Sequence, residues 1–262
     1  MQDIVHNKPV VLVLAGHDPS GGAGIQADIE AIAANGCHAA TVITCLTTQN
    51  TKVFKKYIPV CPDDFLQQTE LILDEIPIGA CKIGLIGDVG ILDAITTVLL
   101  RLKNVPVVVD PVISSGTGKK ILPDDLVRSL HDKVLPLATV VTPNSVEARA
   151  LTGLEDLAAA AHKLLNQGCT AALITGTHEP TAKVINSLYF ENIPPVQFAW
   201  DRLAGTYHGS GCTLSSAIAA HLALGVEIKQ AVMQGQEYTW NTLKHGLRRG
   251  EKQYYPDRFY GE

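Results

Sequence analysis

Apolar positions in this chain gather into short unbroken runs, and between those runs they recur every three or four residues. The first run, residues 9–15, reads Pro-Val-Val-Leu-Val-Leu-Ala, the composition of a strand buried on both faces of a parallel sheet. Residues 16–24, Gly-His-Asp-Pro-Ser-Gly-Gly-Ala-Gly, form a turn into a helix expected over 25–35 and ended by Gly36. A second strand is expected over 39–45, followed by a polar connection at 46–51 and an extended segment at 53–60. Then come a helix at 62–75 with proline near its start, a strand at 80–85, a helix at 89–101 and a strand at 105–109. Strands at 139–142 and 171–175 flank a helix at 156–167 that Gly168 closes. This repeated alternation predicts an α/β fold with a mainly parallel sheet. Residues 186–190 and 196–200 read as an antiparallel pair on one edge, where Pro194 and Pro195 discourage further pairing. Two more helices follow, one over 214–224 with Leu214, Ala217, Ile218 and Leu222 on one face and Gly225 at its end, the other over 227–244. The basic and aromatic segment 248–260 suits packing on a partner subunit or on its own domain.

Composition narrows the picture. With 262 residues, 46% hydrophobic and 18% charged, the chain has enough apolar material for one large core and no compositional break between two. We therefore expect one domain over 1–262, with 46–60 either a substrate flap or a plain surface hairpin and 246–262 a tail. The 21 Lys and Arg against 26 Asp and Glu give a net charge of -5, and no basic run is available to follow a nucleic acid backbone. No window reaches the ~18 apolar residues of a membrane helix, and residues 1–8 carry no leader pattern, so a cytoplasmic protein without a membrane partner is expected. Six cysteines are scattered without Cys-x-x-Cys or zinc-ligand spacing and read as reduced thiols, all but Cys212 structural. The nine histidines are dispersed too, and only His17 and His208 lie in loops that could carry chemistry.

The chemistry concentrates at His208-Gly209-Ser210-Gly211-Cys212-Thr213, which opens a helix. The first N–H groups of a helix lack intrahelical partners and its dipole end is positive, while glycines let an anion approach the main chain. Cys212 sits beside that anion hole, where a thiol pKa is expected to be lowered. A glycine loop packed on a strand, with an inert buried cysteine, would use the same residues. Asp110, at the carboxyl end of a strand, suits a metal or a turn cap. Asn144 and Glu147 have capping-box spacing. Neither Gly-x-Gly-x-x-Gly nor Gly-x-x-x-x-Gly-Lys-Ser/Thr occurs, which disfavours a dinucleotide-binding dehydrogenase.

In order along the chain stand residues 16–28, Thr48-Gln49-Asn50-Thr51, Lys82-Ile83-Gly84, Asp110-Pro111-Val112, Thr142-Pro143-Asn144 with Glu147, and residues 208–215. Together they resemble the hydroxymethylpyrimidine and phosphomethylpyrimidine kinases of thiamine biosynthesis over roughly residues 9–245. The resemblance implies a ribokinase-like three-layer α/β/α sandwich and transfer of the ATP γ-phosphoryl group to a pyrimidine alcohol and then to its monophosphate. It implies Gly209, Ser210, Gly211 and Cys212 over the transferring group, with Cys212 in place of the aspartate base of sugar kinases. Gly16, Ala23, Asp28, Gln49, Leu85 and Val112 would surround the pyrimidine, with Asp28 and Gln49 bonding its amine and ring nitrogen. Asp110, Asn144 and Glu147 would hold Mg²⁺ and its waters, Thr175 and Gly176 would border the nucleotide, and a homodimer is implied. Departures are His17 for a serine or threonine, Leu85 for a methionine, residues 205–207 for a polar run, and Thr175-Gly176-Thr177-His178 for Lys-Gly-Gly-His. Two rivals remain: a pyridoxal or pyridoxine kinase of the same fold, and a catalytically silent sensor of the pyrimidine phosphate.

Overall fold

The computed structural model describes residues 8–114 and 121–261; Ser114-Ser115-Gly116-Thr117-Gly118, whose composition reads as a glycine-rich loop, lies outside them except for Ser114. Nine strands form one sheet: β1 (Val10–His17), β2 (His38–Gln49), β3 (Phe54–Pro59), β4 (Ile78–Ile83), β5 (Val107–Val109), β6 (Val140–Val141), β7 (Ala171–Ile174), β8 (Lys183–Phe190) and β9 (Ile193–Asp201). Their order is β3-β2-β1-β4-β5-β6-β7-β8-β9. The six strands from β2 to β7 run parallel, and β3, β8 and β9 are antiparallel additions at the two edges.

The helices are α1 (Gly24–Ala34), α2 (Pro62–Glu75), α3 (Val89–Arg101), α4 (Asp124–Ser129), α5 (Ser145–Thr152), α6 (Leu157–Asn166), α7 (Ser210–Ala223) and α8 (Ile228–Lys244). The unbroken apolar strands serve two layers at once, because alternate side chains leave opposite faces. Leu12 and Leu14 of β1 join the core under α2, α3 and α6, whereas Val11, Val13 and Ala15 join the core under α1, α7 and α8. Phe65 of α2 is fully buried in the first of these, a contribution of about 1.5–3 kcal/mol. The layout is the α/β fold with a mainly parallel sheet that the periodicity predicts and the three-layer ribokinase-like sandwich that the resemblance implies.

Several boundaries differ from expectation. Strand β2 continues to Gln49, because Leu46 and Thr48 face solvent while Thr47 is buried, the alternation of a hairpin with one wet face. Residues 46–60 thus form a β-hairpin. Helix α7 starts at Ser210, so the glycine motif is its first turn rather than a loop before it. Helix α5 was not set apart from α6 by periodicity; a complete capping box starts it and Gly153, at φ 70°, ends it. Residues 248–260 fold back on their own chain, with Tyr254 bridged to Tyr207 and Tyr255 to Leu247. Of the five cysteines expected to be structural, Cys37, Cys45, Cys81 and Cys169 are buried, but Cys61 is exposed ahead of α2. No helix among the described residues is long and apolar enough to cross a membrane.

Candidate active site

Strand β1 is flanked by β2 on one side and β4 on the other, so the connections from β1 and β4 leave in opposite directions. Such a reversal opens a crevice beyond the carboxyl ends of the strands. Gly16 and Gln49 stand at the ends of β1 and β2, Leu85 just past β4, Asp110 and Val112 past β5, Asn144 past β6, and Thr175 and Gly176 past β7. Ala23 precedes α1, and Gly209 to Cys212 open α7. Of the predicted site residues, all but Asp28, which is buried within α1, are therefore brought to this one edge of the sheet.

Gly209 adopts φ 83°, and a Cβ there would lie 2.0 Å from the Gly22 carbonyl oxygen, so only glycine lets the two glycine-rich segments interlock. No side chain caps the start of α7, and helix geometry leaves the N–H groups of its first turn without partners one turn back. A Cβ on exposed Gly211 would stand 3.5 Å from Asp110 Oδ2, which places the open helix end against that carboxylate. Ser215 Oγ donates to the Gly211 carbonyl at 3.0 Å and lies 3.4 Å from Asp110 Oδ2.

A charged layer lies beneath the helix end. Lys82 and Asp28 are fully buried, with Lys82 Nζ donating to Asp28 Oδ1 at 2.8 Å and Ser216 Oγ to the same oxygen at 2.7 Å. Asp28, expected at the pyrimidine amine, is thus enclosed by α7 and β4 and engaged with Lys82. Burial alone would lower the Lys82 pKa, but Asp28, Cys212 and Asp110 outweigh it and keep the lysine charged. The lowered thiol pKa expected for Cys212 is not found: burial pushes it up to about 12, with Asp110 and Asp28 adding to the rise and Lys82 opposing it. Desolvation in the packed first turn outweighs the helix dipole that motivated the expectation. Burial also lifts Asp110 to about 6, against the pull of Lys82, and lifts Glu147 to about 8, helped by the charge of Asp110.

Asn144 and Glu147 form the capping box in full. Asn144 Oδ1 accepts from the N–H groups of Val146 and Glu147 at 3.0 and 2.9 Å, and Glu147 Oε2 accepts from Asn144 N at 3.0 Å. The cap aims the buried Glu147 carboxyl along the crevice, where Oε1 also receives the Ile113 N–H at 3.4 Å. Gly176 is held by Asn186 Oδ1 at 3.0 Å, and a Cβ there would strike the Ile185 carbonyl at 2.2 Å. The turn after Thr175 is braced from outside. Arg149 binds Glu179 through two bonds of 2.8 and 3.1 Å, and Arg202 donates to the carbonyls of Thr177, Glu179 and Thr181.

Sequence reasoning missed the roles of Lys82, Asp18 and Arg258. Asp18, fully buried, accepts from Ser20 N at 2.9 Å and Ala23 N at 3.0 Å and lies 2.7 Å from His208 Nε2, tying the first glycine turn to the second. A signal for Lys82 was present: a single lysine inside an apolar strand needs a buried carboxylate. Nothing local pointed to Arg258.

The strand order, the crevice and an uncapped glycine helix set against carboxylates define a phosphotransferase of the ribokinase-like class. Comparison with known proteins narrows this class. The sequence model of the phosphomethylpyrimidine kinase family matches residues 18–257, and the chain belongs to that family. A hydroxymethylpyrimidine/phosphomethylpyrimidine kinase of Synechococcus elongatus is 34% identical over 251 residues, covering 94% of this chain and 95% of its own. A solved phosphomethylpyrimidine kinase of Clostridium difficile is 33% identical at a TM-score of 0.78, covering 88% of this chain and 98% of its own. A pyridoxal kinase of Bacillus subtilis, solved with ADP, is 28% identical at a TM-score of 0.89, covering 96% and 97%.

Proposed function

We propose that this chain transfers the γ-phosphoryl group of ATP to 4-amino-5-hydroxymethyl-2-methylpyrimidine and then to its monophosphate, supplying the diphosphate for thiamine biosynthesis. The observation that carries the reading is the uncapped first turn of α7 beside Asp110, Cys212 and the buried Lys82. The first turnover converts the alcohol and ATP into a phosphate monoester, ADP and one proton; the second converts that monophosphate dianion and ATP into the diphosphate and ADP.

In this reading the pyrimidine lies among Gly16, Ala23, Gln49, Leu85 and Val112. Asp28 acts from beneath, by fixing Lys82. The N–H groups of Ser210, Gly211 and Cys212 receive the phosphoryl oxygens as charge spreads over them, the kind of preorganised stabilisation on which a loose phosphoryl-transfer transition state depends. Cys212 enters as a neutral thiol at neutral pH, so the hydroxyl proton leaves late, after bonding to phosphorus has advanced. Thr175 and Gly176 border the nucleotide.

Asp110, Asn144 and Glu147 fit Mg²⁺. Their donors are hard oxygens, and the charge of Asp110 raises the Glu147 pKa, a repulsion that a cation relieves. Among the described residues no group of three or more His, Cys, Asp or Glu surrounds one point, which suits an ion that keeps waters and takes phosphate oxygens as further ligands. Bound there, Mg²⁺ supplies neutralisation of the transferring phosphates.

A cytoplasmic homodimer belongs to the same reading; light scattering and cell fractionation test it. The closer backbone match of the pyridoxal kinase favours a second reading, phosphorylation of pyridoxal, although sequence identity runs the other way. The test is Mg·ATP-dependent ADP release with hydroxymethylpyrimidine, its monophosphate and pyridoxal as separate substrates. Turnover of both pyrimidines with the higher kcat/KM sustains the proposal; a higher kcat/KM for pyridoxal moves the assignment to the second reading. Binding without turnover of any of the three leaves a sensor.

A further inference from the structure

The two glycine-rich segments that frame the crevice are far apart in sequence, and both are touched by one side chain from the segment after α8. Arg258 is almost wholly buried and spends all three of its guanidinium nitrogens there. Nη2 donates to the Gly22 carbonyl at 2.6 Å, Nε to Thr213 Oγ1 at 3.0 Å, and Nη1 to Glu30 Oε2 at 2.9 Å. Gly22 is in the first glycine turn, Thr213 in the first turn of α7, and Glu30 on α1. The Gly22 carbonyl that receives Nη2 is also the atom against which Gly209 is pressed. The same segment lays Tyr255 edge-on to His208, with ring centroids 6.1 Å apart, and space at Gly22 is closed by both rings.

Arg258 is itself held from α8. The Asp257 N–H donates to the Thr242 carbonyl at 2.9 Å, and the Tyr238 hydroxyl donates to the Arg258 carbonyl at 2.9 Å. A guanidinium is planar and presents its donors in a fixed fork, so three acceptors on three elements are held at one mutual spacing. A buried cation with this many partners is expensive to place, and a surface arginine would serve mere adhesion of the segment. It also lies one residue beyond the part of the chain that the family's sequence model matches.

We propose that Arg258 is a positioning residue for phosphoryl transfer: it sets the distance between the turn that carries the pyrimidine and the helix end that receives the phosphoryl group. This rests on the kinase reading above. In-line transfer depends on that distance, and a displacement of about 1 Å can cost ~10²-fold in rate.

The test uses the full chain and the ADP-release assay with both pyrimidines. Arg258→Met is expected to lower kcat by about 10–100-fold while KM for ATP stays within about threefold, because Thr175 and the carboxylates at the nucleotide end are untouched. Added methylguanidinium restores part of the kcat of Arg258→Ala by refilling the fork. Thr213→Val removes one acceptor and is expected to lower kcat too, and its effect does not multiply with that of Arg258→Met, since both break the same contact. Wild-type kcat in Arg258→Met, or losses that multiply in the double variant, overturns the proposal. Should Arg258→Met fail to fold, Thr213→Val decides: a loss of about tenfold in kcat supports the proposal and wild-type kcat overturns it. Wild-type protein without turnover would instead remove the kinase reading, a different outcome from active wild type with equally active variants.

Discussion

On the side of the crevice formed by β1, β2, β4 and α1, each buried charged side chain has a close partner: Lys82 pairs with Asp28 at 2.8 Å, Asp18 is hydrogen-bonded to His208 at 2.7 Å, and Arg258 pairs with Glu30 at 2.9 Å. Across the crevice, past β5 and β6, Asp110 and Glu147 are buried with their pKa values lifted to about 6 and about 8. On the first side the buried charged groups are bonded within the chain, whereas the second carries two buried carboxyls whose charge no cation among the described residues neutralises beside them. In the proposed reading this difference divides the labour: an uncharged ring would be received by a preformed surface, and a polyphosphate with its cation would complete the other.

The comparison is broken most severely at Lys82. Lys82→Met leaves Asp28 buried without its cation and is expected to cost about 3–5 kcal/mol of stability, read from urea unfolding. The double variant Lys82→Met, Asp28→Asn should recover much of that loss, since the stranded charge is gone; no recovery would mean that the pair matters through shape alone.

Next in size is the anion hole. Gly211→Asp puts a carboxylate at the helix end and beside Asp110, and should lower phosphoryl transfer by at least about 10²–10³-fold with Tm little changed, because Gly211 is exposed. Cys212→Ala should cost less than ~10²-fold, below the range usual for losing an essential general base, because the thiol is already neutral at pH 7. A larger loss in Cys212→Ala than in Gly211→Asp would reverse their assigned importance.

The smallest effect concerns pH. Glu147 and Asp110 have folded pKa values above their ordinary ones, so as pH rises the unfolded chain releases these protons first. Their contribution to stability is therefore present at low pH and is lost as pH rises to about 8. Mg·ADP, which compensates the carboxylates, should raise Tm more at pH 8 than at pH 6, each kcal/mol appearing as roughly 2–4 °C in a chain near this size. An equal rise at both pH values would detach the cation from this pair.

Much of this was legible in the sequence. Strands β1, β5 and β7 announced themselves because burial on both faces leaves no polar position, β4 did so with Lys82 as its one charged residue, and the capping box at Asn144 and Glu147 is a local signal that the structure completes. Strand β6, only two residues long, falls within the strand expected at 139–142, whereas the turn from Leu130 to Val134, wound as a π-helix, has too little periodicity to read. The settled charges were hidden for a different reason. Lys82 and Asp28 are 54 residues apart, and Arg258 and Glu30 are 228 apart, so no window contains both partners. The sign of the Cys212 shift was also beyond reach, since a helix end announces its dipole in sequence but the burial that outweighs it belongs to tertiary packing.

The interlock of Gly22 with Gly209 has a consequence for the order of events in the cell. During synthesis the first glycine turn leaves the ribosome long before its counterpart, and the residues from Gly209 to Arg258 are needed to close the crevice. The parallel strands around β1 can assemble earlier, but in the proposed reading a nucleotide could not fully reward that assembly, because the helix end that would receive the transferring phosphoryl group does not yet exist. The nascent sheet is then held by its strand pairing and apolar burial, and ligand acts as a late arbiter that favours finished molecules.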